Sequence, residues 1–322
     1  MRPHLVAAAF IACLGAVTDA SAQGYPWRPI TMIVGLAPGG AVDVLARNLA
    51  EHMRGTLGQP IVVENVSGAG GTVGTGRVVR APPDGYTLGM GTAGQYVING
   101  AVYDLPYDLV KDFEPVALLP SVPYWMVARK TMPADDLKGL VTWLKANHGT
   151  AATVGTASVS RLCGIFFQNK TGTGFQFIPY RGGAPALQDL VAGQIDITCD
   201  LAANSLPQVR AGNIKAYAVM ATKRWFAAPD VPTADEAGVP GIYVTTWHGL
   251  WAPKGTPKEI LARLTAAARA AMADPTTRAR VAEQGMEIPP PDQQTPEALA
   301  ALQKAEIEKW WPIIKAAGIK PE

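Results

Sequence analysis

Strand-sized apolar runs alternate with helix-sized amphipathic runs along almost the whole chain, and this alternation limits the fold more than any other feature. Residues 30–34 form a β-branched run, followed by a glycine turn and a helical stretch at 42–57. Residues 60–64 and 86–90 read as the second and third strands, with a glycine loop at 68–71 and a helix at 72–80 between them. Further strands are expected at 115–119, 124–128, 153–155, 176–179, 195–199, 216–221 and 247–251. Helices are expected at 137–147, 164–170, 185–192, 206–211, 258–273, 276–284 and 296–317. Leu137, Leu140, Val141 and Leu144 show the helical period. Such alternation predicts an α/β fold with parallel sheets and helices on both faces.

The N-terminus adds a second constraint. Arg2 and His4 precede an apolar stretch, residues 5–17, that is shorter than the roughly 18 residues a membrane span needs. Ala20-Ser21-Ala22 follows as a small-x-small cleavage site. Residues 1–22 therefore read as an export signal, the alternative being a buried N-terminal helix. Phe10-Ile11-Ala12-Cys13 is a poor lipobox, so acylation of Cys13 is not expected. No later segment is long and apolar enough to span a bilayer, and the mature protein is expected to be soluble and periplasmic. The remaining chain of roughly 300 residues is enough for two domains.

Lys and Arg total 28 against 26 Asp and Glu, scattered without a basic run or basic-aromatic stripe, which leaves no footprint for nucleic acid. Cys163 and Cys199 remain after cleavage. In an oxidising compartment they either pair or stay as buried thiols, and spacing does not decide between the two. His52, His148 and His248 lie far apart without metal-ligand spacing, so no metal or cofactor is expected.

In such sheets ligands bind at the carboxyl ends of strands. The loops to read are therefore 37–43, 67–72, 91–95, 156–161, 180–184 and 200–204. In Pro38-Gly39-Gly40-Ala41-Val42-Asp43 the glycines let the backbone approach a ligand. The helix start presents N–H groups that favour a carboxylate or phosphate. Asp43 falls in the first helical turn, where its charge suits the dipole. The same residues would equally make a plain strand–helix corner. Gly68-Ala69-Gly70-Gly71-Thr72 is a second such turn, not a Walker loop, because no Lys-Ser/Thr follows. Gly89-Met90-Gly91-Thr92-Ala93-Gly94 has the spacing of a dinucleotide fingerprint, but it follows the third strand of its unit rather than the first. Thr156-Ala157-Ser158-Val159-Ser160-Arg161 is a hydroxyl-rich turn. Its hydroxyls suit carboxylate oxygens, and Arg161 suits a bidentate pair with a second acidic group. The alternative is a helix cap with Arg161 turned to solvent.

An exported chain with a glycine turn at a helix start points to capture of a small acid rather than its transformation. The chain has no Gly-x-Ser-x-Gly elbow, no His-Glu-x-x-His, and no Ser-x-x-Lys with its companion motifs. Nothing in the spacing of Asp43, Asp196 and Asp200 marks an acid pair. Trp225, Trp251, Trp310 and Trp311 read as packing residues, and Trp247 reads either way.

Several strings together resemble one family. They are Pro38-Gly39-Gly40 with Asp43 and Arg47, Val63-Glu64-Asn65 with Gly68-Ala69-Gly70-Gly71, and Pro83-Asp84-Gly85-Tyr86-Thr87-Leu88. Further along come Pro179-Tyr180-Arg181-Gly182-Gly183-Ala184-Pro185, Leu190-Val191-Ala192-Gly193-Gln194-Ile195-Asp196 and Ala252-Pro253 with Gly255-Thr256-Pro257. In order and over the whole mature chain these resemble the Bug family, the TctC-type substrate-binding proteins of tripartite tricarboxylate transporters. The resemblance implies two doubly wound α/β domains joined by a hinge, a periplasmic-binding-protein or Venus-flytrap architecture. The first domain would comprise residues 23–123 and 246–322, the second 124–245. The C-terminal helices would pack back on the first domain. A ligand carboxylate would lie between the domains, held by Ala37, Pro38, Gly39, Gly40, Ala41 and Asp43 together with Gly91, Thr92 and Ala93. Its distal end would meet Thr156, Ala157, Ser158, Ser160 and Arg161, with Tyr180, Asp200 and Ala203 nearby.

Two departures from the family pattern stand out. Gly35-Leu36 replaces the usual Pro-Phe, and the lost ring implies a wider pocket. Ser158-Val159-Ser160-Arg161 replaces the usual Gly-x-Gly-Ser. The gained charge implies a second acidic group, or a larger aromatic acid, paired with Arg161. The expected function is a monomeric, non-enzymatic solute-binding protein. It would capture a small mono- or dicarboxylate and deliver it to the membrane permease of a tripartite tricarboxylate-type transporter. The alternative is a solute sensor that presents its closed form to a sensor kinase.

Overall fold

A computed structural model describes residues 24–154, 158–180 and 183–320. The export signal expected at 1–22 lies outside the described residues. In chain order the strands are β1 (Ile30–Val34), β2 (Ile61–Asn65), β3 (Thr87–Thr92), β4 (Phe113–Arg129), β5 (Gly149–Val154), β6 (Phe175–Tyr180), β7 (Ile197–Leu201), β8 (Ile214–Val219) and β9 (Thr245–Pro253). The helices are α1 (Ala41–Leu57), α2 (Thr72–Val79), α3 (Asn99–Val102), α4 (Leu137–Ala146), α5 (Val159–Thr171), α6 (Gly183–Val191), α7 (Ala202–Arg210), α8 (Lys258–Ala273), α9 (Pro275–Glu283) and α10 (Pro296–Ala316).

β1, β2 and β3 pair in parallel, as the β-branched runs and intervening helices predict. Ile30, Met32, Ile33 and Val34 are all buried, the pattern of a strand covered on both faces. α1 lays Leu45, Leu49 and Met53 on one stripe against this sheet. Each fully buried leucine contributes about 1.5–3 kcal/mol. The helix stops at Gly58, whose left-handed φ of 72° lets its N–H bond to the Arg54 carbonyl.

β4 organises the rest. Residues 113–123 pair antiparallel with β9, which pairs antiparallel with β3 on its other side. From Tyr124 onward the same strand pairs with β7 on one edge and, from Trp125, with β8 on the other. β5 continues the second half in parallel with β7, and β6 in parallel with β5. The order is β2-β1-β3-β9-β4-β7-β5-β6, with β8 beside β4. Parallel pairing therefore holds within β1–β3 and within β5–β7, while β4, β8 and β9 make the sheet mixed.

The two strands expected at 115–119 and 124–128 are one continuous strand. Pro115, Pro120 and Pro123 lack the N–H that a ladder uses, which in sequence reads as a break. Register shifts between Pro115 and Ala117 and between Leu119 and Ser121 absorb two of them as bulges. α5 begins at Val159, not at 164. Gly164 lies inside this helix, and glycine is required there because an ideal Cβ would stand 2.6 Å from the Phe177 ring. α7 likewise begins at Ala202, not at 206. The strand-end loop expected at 91–95 is strand to Thr92, and residues 94–102 form a wide helical turn followed by α3.

α8 packs on α1, and α10 packs on β4 and the turn at 94–98. Gln303 in α10 donates to the carbonyls of Tyr96 (2.8 Å) and Leu109 (2.9 Å), and the Trp311 indole donates to Val97. The C-terminal helices thus close over the half that contains β1–β3. Tyr96 stacks on Trp251 beneath them, with ring centroids 3.5 Å apart.

Candidate functional site

Strand direction brings the two sets of parallel strands tip to tip. The carboxyl end of β3 lies at His248, which is level with Leu119 of β4. The carboxyl end of β7 lies at Tyr124 of the same strand, approaching from the opposite side. The strand-end loops of both halves therefore converge on the β4 crossover at Pro123 and Tyr124. Leu36 from the β1–α1 turn and Leu201 and Ala203 from the β7–α7 turn pack against the same core cluster.

On the first side Ala37, Pro38, Gly39, Gly40 and Ala41 are exposed. Gly39 has a φ of 81° and open space where a side chain would stand. Gly40 caps α1 with no side-chain hydrogen bond, so the first N–H groups of the helix carry no side-chain cap. Asp43 does not face outward from the turn. It is 3 % exposed, accepts the Gly39 N–H at 2.9 Å, and is gripped by Arg47 through Nε at 3.0 Å and the guanidinium at 2.9 Å. Arg47 also donates to Asn65 Oδ1, and Asn65 donates to the Leu36 carbonyl. The Arg47 hydrogen bond holds the Asp43 carboxyl below its ordinary value, with the Gly39 N–H assisting against burial. Asp43 is thus the staple of the turn.

Gln95 is the organising residue that sequence reasoning passed over. Its Oε1 accepts the Thr92 N–H at 2.8 Å and the Thr92 hydroxyl at 3.2 Å, and that hydroxyl accepts the Gly94 N–H. Its amide end lies between the first two glycine turns. An ideal Cβ at Gly71 would stand 2.7 Å from Gln95 Nε2, and one at Gly35 would stand 2.9 Å from it. Those glycines make room for Gln95 rather than for a ligand. Gly91 lies inside β3, and Ala93 is buried in the core, so only Thr92 of this group is partly exposed. The dinucleotide-like spacing has no loop to act in, because Gly89, Met90, Gly91 and Thr92 are strand.

On the second side Thr156, Ala157, Arg181 and Gly182 lie outside the described residues. Ser158 caps α5 by accepting the Arg161 N–H at 3.2 Å. Ser160 is buried and donates to the Cys199 carbonyl at 2.7 Å. Cys163 and Cys199 form a disulfide, with Cα atoms 6.1 Å apart, so α5 is fixed to β7 twice within one turn. The Arg161 guanidinium lies 5.1 Å from the centre of the Phe177 ring. Its Nε has no hydrogen-bond partner among the described residues. The Tyr180 hydroxyl donates to Asp189 of α6 at 2.6 Å, and the ring packs against the cluster containing Leu190 and Trp125. Burial pushes that phenol up to about 12.

Asp200, one residue before the end of β7, lies directly opposite Trp125 of β4. It is buried, and burial pushes its carboxyl up to about 6, against hydrogen bonds from Ser205, Asn204 and the Leu201 N–H. Ala203 follows in the first turn of α7. Trp247 resolves as a core residue, 1 % exposed.

Two α/β halves, a continuous strand between them and strand-end turns meeting at the crossover define a two-domain binding protein of the periplasmic type. A family model described as "tripartite tricarboxylate transporter family receptor", TctC, matches residues 45–319, and the chain belongs to that family. The structure of the periplasmic binding protein BugD is 42 % identical, with a TM-score of 0.77, covering 92 % of this chain and 100 % of that one. MatC from Rhodopseudomonas palustris, solved with bound malate, is 40 % identical with a TM-score of 0.77, covering 90 % of this chain and 100 % of that one. Rpa4515 from R. palustris, solved with adipate, is 32 % identical with a TM-score of 0.79, covering 92 % of this chain and 100 % of that one. Members of the family are periplasmic solute-binding proteins. No helix among the described residues is long and apolar enough to cross a membrane.

Proposed function

We propose that this protein captures a small carboxylate between its two halves and delivers it to the permease of a tripartite tricarboxylate-type transporter. The observation that carries this reading is the convergence of both sets of strand ends on the β4 crossover, with the exposed turn at 37–41 opening α1. Helix-start N–H groups bind an acid with little reorganisation. The bound malate and adipate of the related proteins fit the same chemistry.

In this reading the first domain comprises residues 23–123 and 246–322, and the second comprises 124–245. β4 and β9 are the hinge strands. One carboxylate sits at Pro38, Gly39, Gly40 and Ala41, with Thr92 beside it. Thr156, Ala157, Ser158 and Arg161 receive the distal end. Arg161 has no ion-pair partner among the described residues, so swinging off Phe177 toward a second carboxylate breaks no salt bridge. Contacts made by both domains exist only in the closed form, so ligand favours closure. The protein acts as a monomer.

Thermal shift and calorimetry with malate, succinate and adipate, each beside its diamide, test this. A binding acid raises stability by about 2.7 kcal/mol at a hundredfold excess over Kd, and the diamide does not. Equal response to acid and amide, or to neither, removes the reading. Arg161→Ala is expected to erase the preference for dicarboxylates over matched monocarboxylates; an unchanged preference removes Arg161 from the site.

A further inference from the structure

Residues 284–288, between α9 and α10, form a strap that touches both halves. Ser121 and Glu287 exchange both backbone hydrogen bonds, at 2.9 and 2.7 Å, which fixes the strap to β4 before the crossover. Met286 is buried in the core beneath α1 and α8. On the other side the Trp225 indole donates to the Gly285 carbonyl at 3.0 Å, and Lys223 pairs with Glu287. Trp225 follows β8 and belongs to the core of the second half.

Gly285 stands where nothing larger fits. Its φ is +67°, and an ideal Cβ would lie 2.6 Å from the Trp225 ring and 3.2 Å from the Ala203 Cβ. Strap, indole and the β7–α7 turn are therefore in direct contact. Trp225 also meets Trp125 edge to face, with centroids 5.6 Å apart. The Trp125 indole donates to Ser205 Oγ at 2.8 Å, inside the first turns of α7. Leu201 and Ala203 of that turn pack on the first half's core, whereas Ala202 packs with the two tryptophans. One turn is thus wedged between two cores, with the Trp125 N–H committed to α7 and the Trp225 N–H committed to the strap.

We propose that Trp225 and Gly285 are positioning residues for ligand binding: through the strap they set where the β7–α7 turn, with Asp200 and Ala203, stands opposite the β1–α1 turn. This rests on the carboxylate-capture reading above. A buried indole hydrogen bond and a glycine with no spare volume allow the turn one seat. Nothing in the strap itself needs to touch the ligand.

Two readouts test it on the full chain with Trp225→Phe, which keeps a ring and loses the N–H, and Gly285→Ala, which forces strap and turn apart. The first needs no ligand. Amide hydrogen exchange at residues 201–206 is expected to quicken by about tenfold or more in both variants, with the amides of α1 unchanged. The second is calorimetry with whichever of malate, succinate and adipate binds the natural protein, where the affinity is expected to fall by about tenfold. Unchanged exchange at 201–206 overturns the proposal whatever the ligand. Faster exchange with unchanged affinity assigns the strap a stability role only and also overturns it. If none of the three acids binds the natural protein, the capture reading falls on its own, and with it the role assigned to the turn.

Discussion

Asp43, in the first turn of α1, and Asp200, near the end of β7, are both buried carboxylates, and their surroundings drive them in opposite directions. Arg47 holds Asp43 ionised, so its stabilising contribution is present above its unfolded value and is lost as pH falls through the depressed one. Asp200 is raised from 3.8 to about 6 by burial. Its contribution is complete below the unfolded value and is lost as pH rises through about 6. Buried His248, whose ring Nδ1 meets the Pro120 carbonyl, is lowered from 6.5 to about 4, so it opposes Asp200 across the same window. The net slope therefore hides both groups, and a difference exposes one. Urea unfolding from pH 4 to 7 is expected to show the natural protein losing stability relative to Asp200→Asn; parallel profiles would contradict the burial. Asp43→Ala is expected to weaken acid binding by about tenfold in calorimetry, because the Gly39 N–H loses its tether and the turn loses its shape. Unchanged affinity would mean the turn holds itself.

At the scale of elements, the α5–β7 joint carries the clearest consequence. The disulfide closes a separation of 36 residues, and removing such a link costs about 2–5 kcal/mol. Paired Cys163→Ser and Cys199→Ser substitutions are expected to lower the urea midpoint accordingly, and equal midpoints would show that Ser160 and core packing suffice. Elements were legible where the pattern was local. The β-branched run of β1 and the leucine period of α4 appear in the structure nearly as read. β4 was not legible, because its prolines signal breaks that only bulged pairing with β9 absorbs. The start of α5 was missed where 156–161 was read as a turn, although the helix-cap alternative is the one Ser158 takes up. Within the candidate site the exposed turn at 37–41 was legible from its glycines. Trp225 was legible as a packing residue, but the contacts of Gln95, Trp125 and Trp225 were not, because a single glutamine or tryptophan carries no periodic signal.

For the whole molecule, the shared β4 and the strap at 284–288 make the halves mechanically dependent. One buried cluster, with Ile33, Tyr96 and Trp251 on one side and Leu140, Phe167 and Tyr217 on the other, runs through both halves, and both lose a strand if β4 is released. Calorimetry is therefore expected to show one unfolding transition rather than two, and two resolved transitions would mean that the crossover does not couple the cores. In the proposed capture reading, closure on a ligand comes from bending β4 and β9 near Pro123 and Thr245 without breaking their pairing. X-ray scattering with saturating acid is expected to show a smaller radius of gyration, while exchange protection of Trp125, Met126 and Val127 stays unchanged. An unchanged radius would place the binding energy within one half.

The path of β9 has a consequence for how the chain is made. β3 gains its second neighbour only when residues 245–253 arrive, and the 94–98 turn gains Trp251 and α10 later still than its own neighbours. A polypeptide emerging N-terminus first leaves that sheet edge and its aromatic cluster open until nearly all of it has been translated. The early segment therefore has no finished sheet to lock into until the C-terminal segments arrive. Topology thereby postpones completion of the β1–β3 half, and not of the half built from residues 124–219, to the end of the ribosome's work.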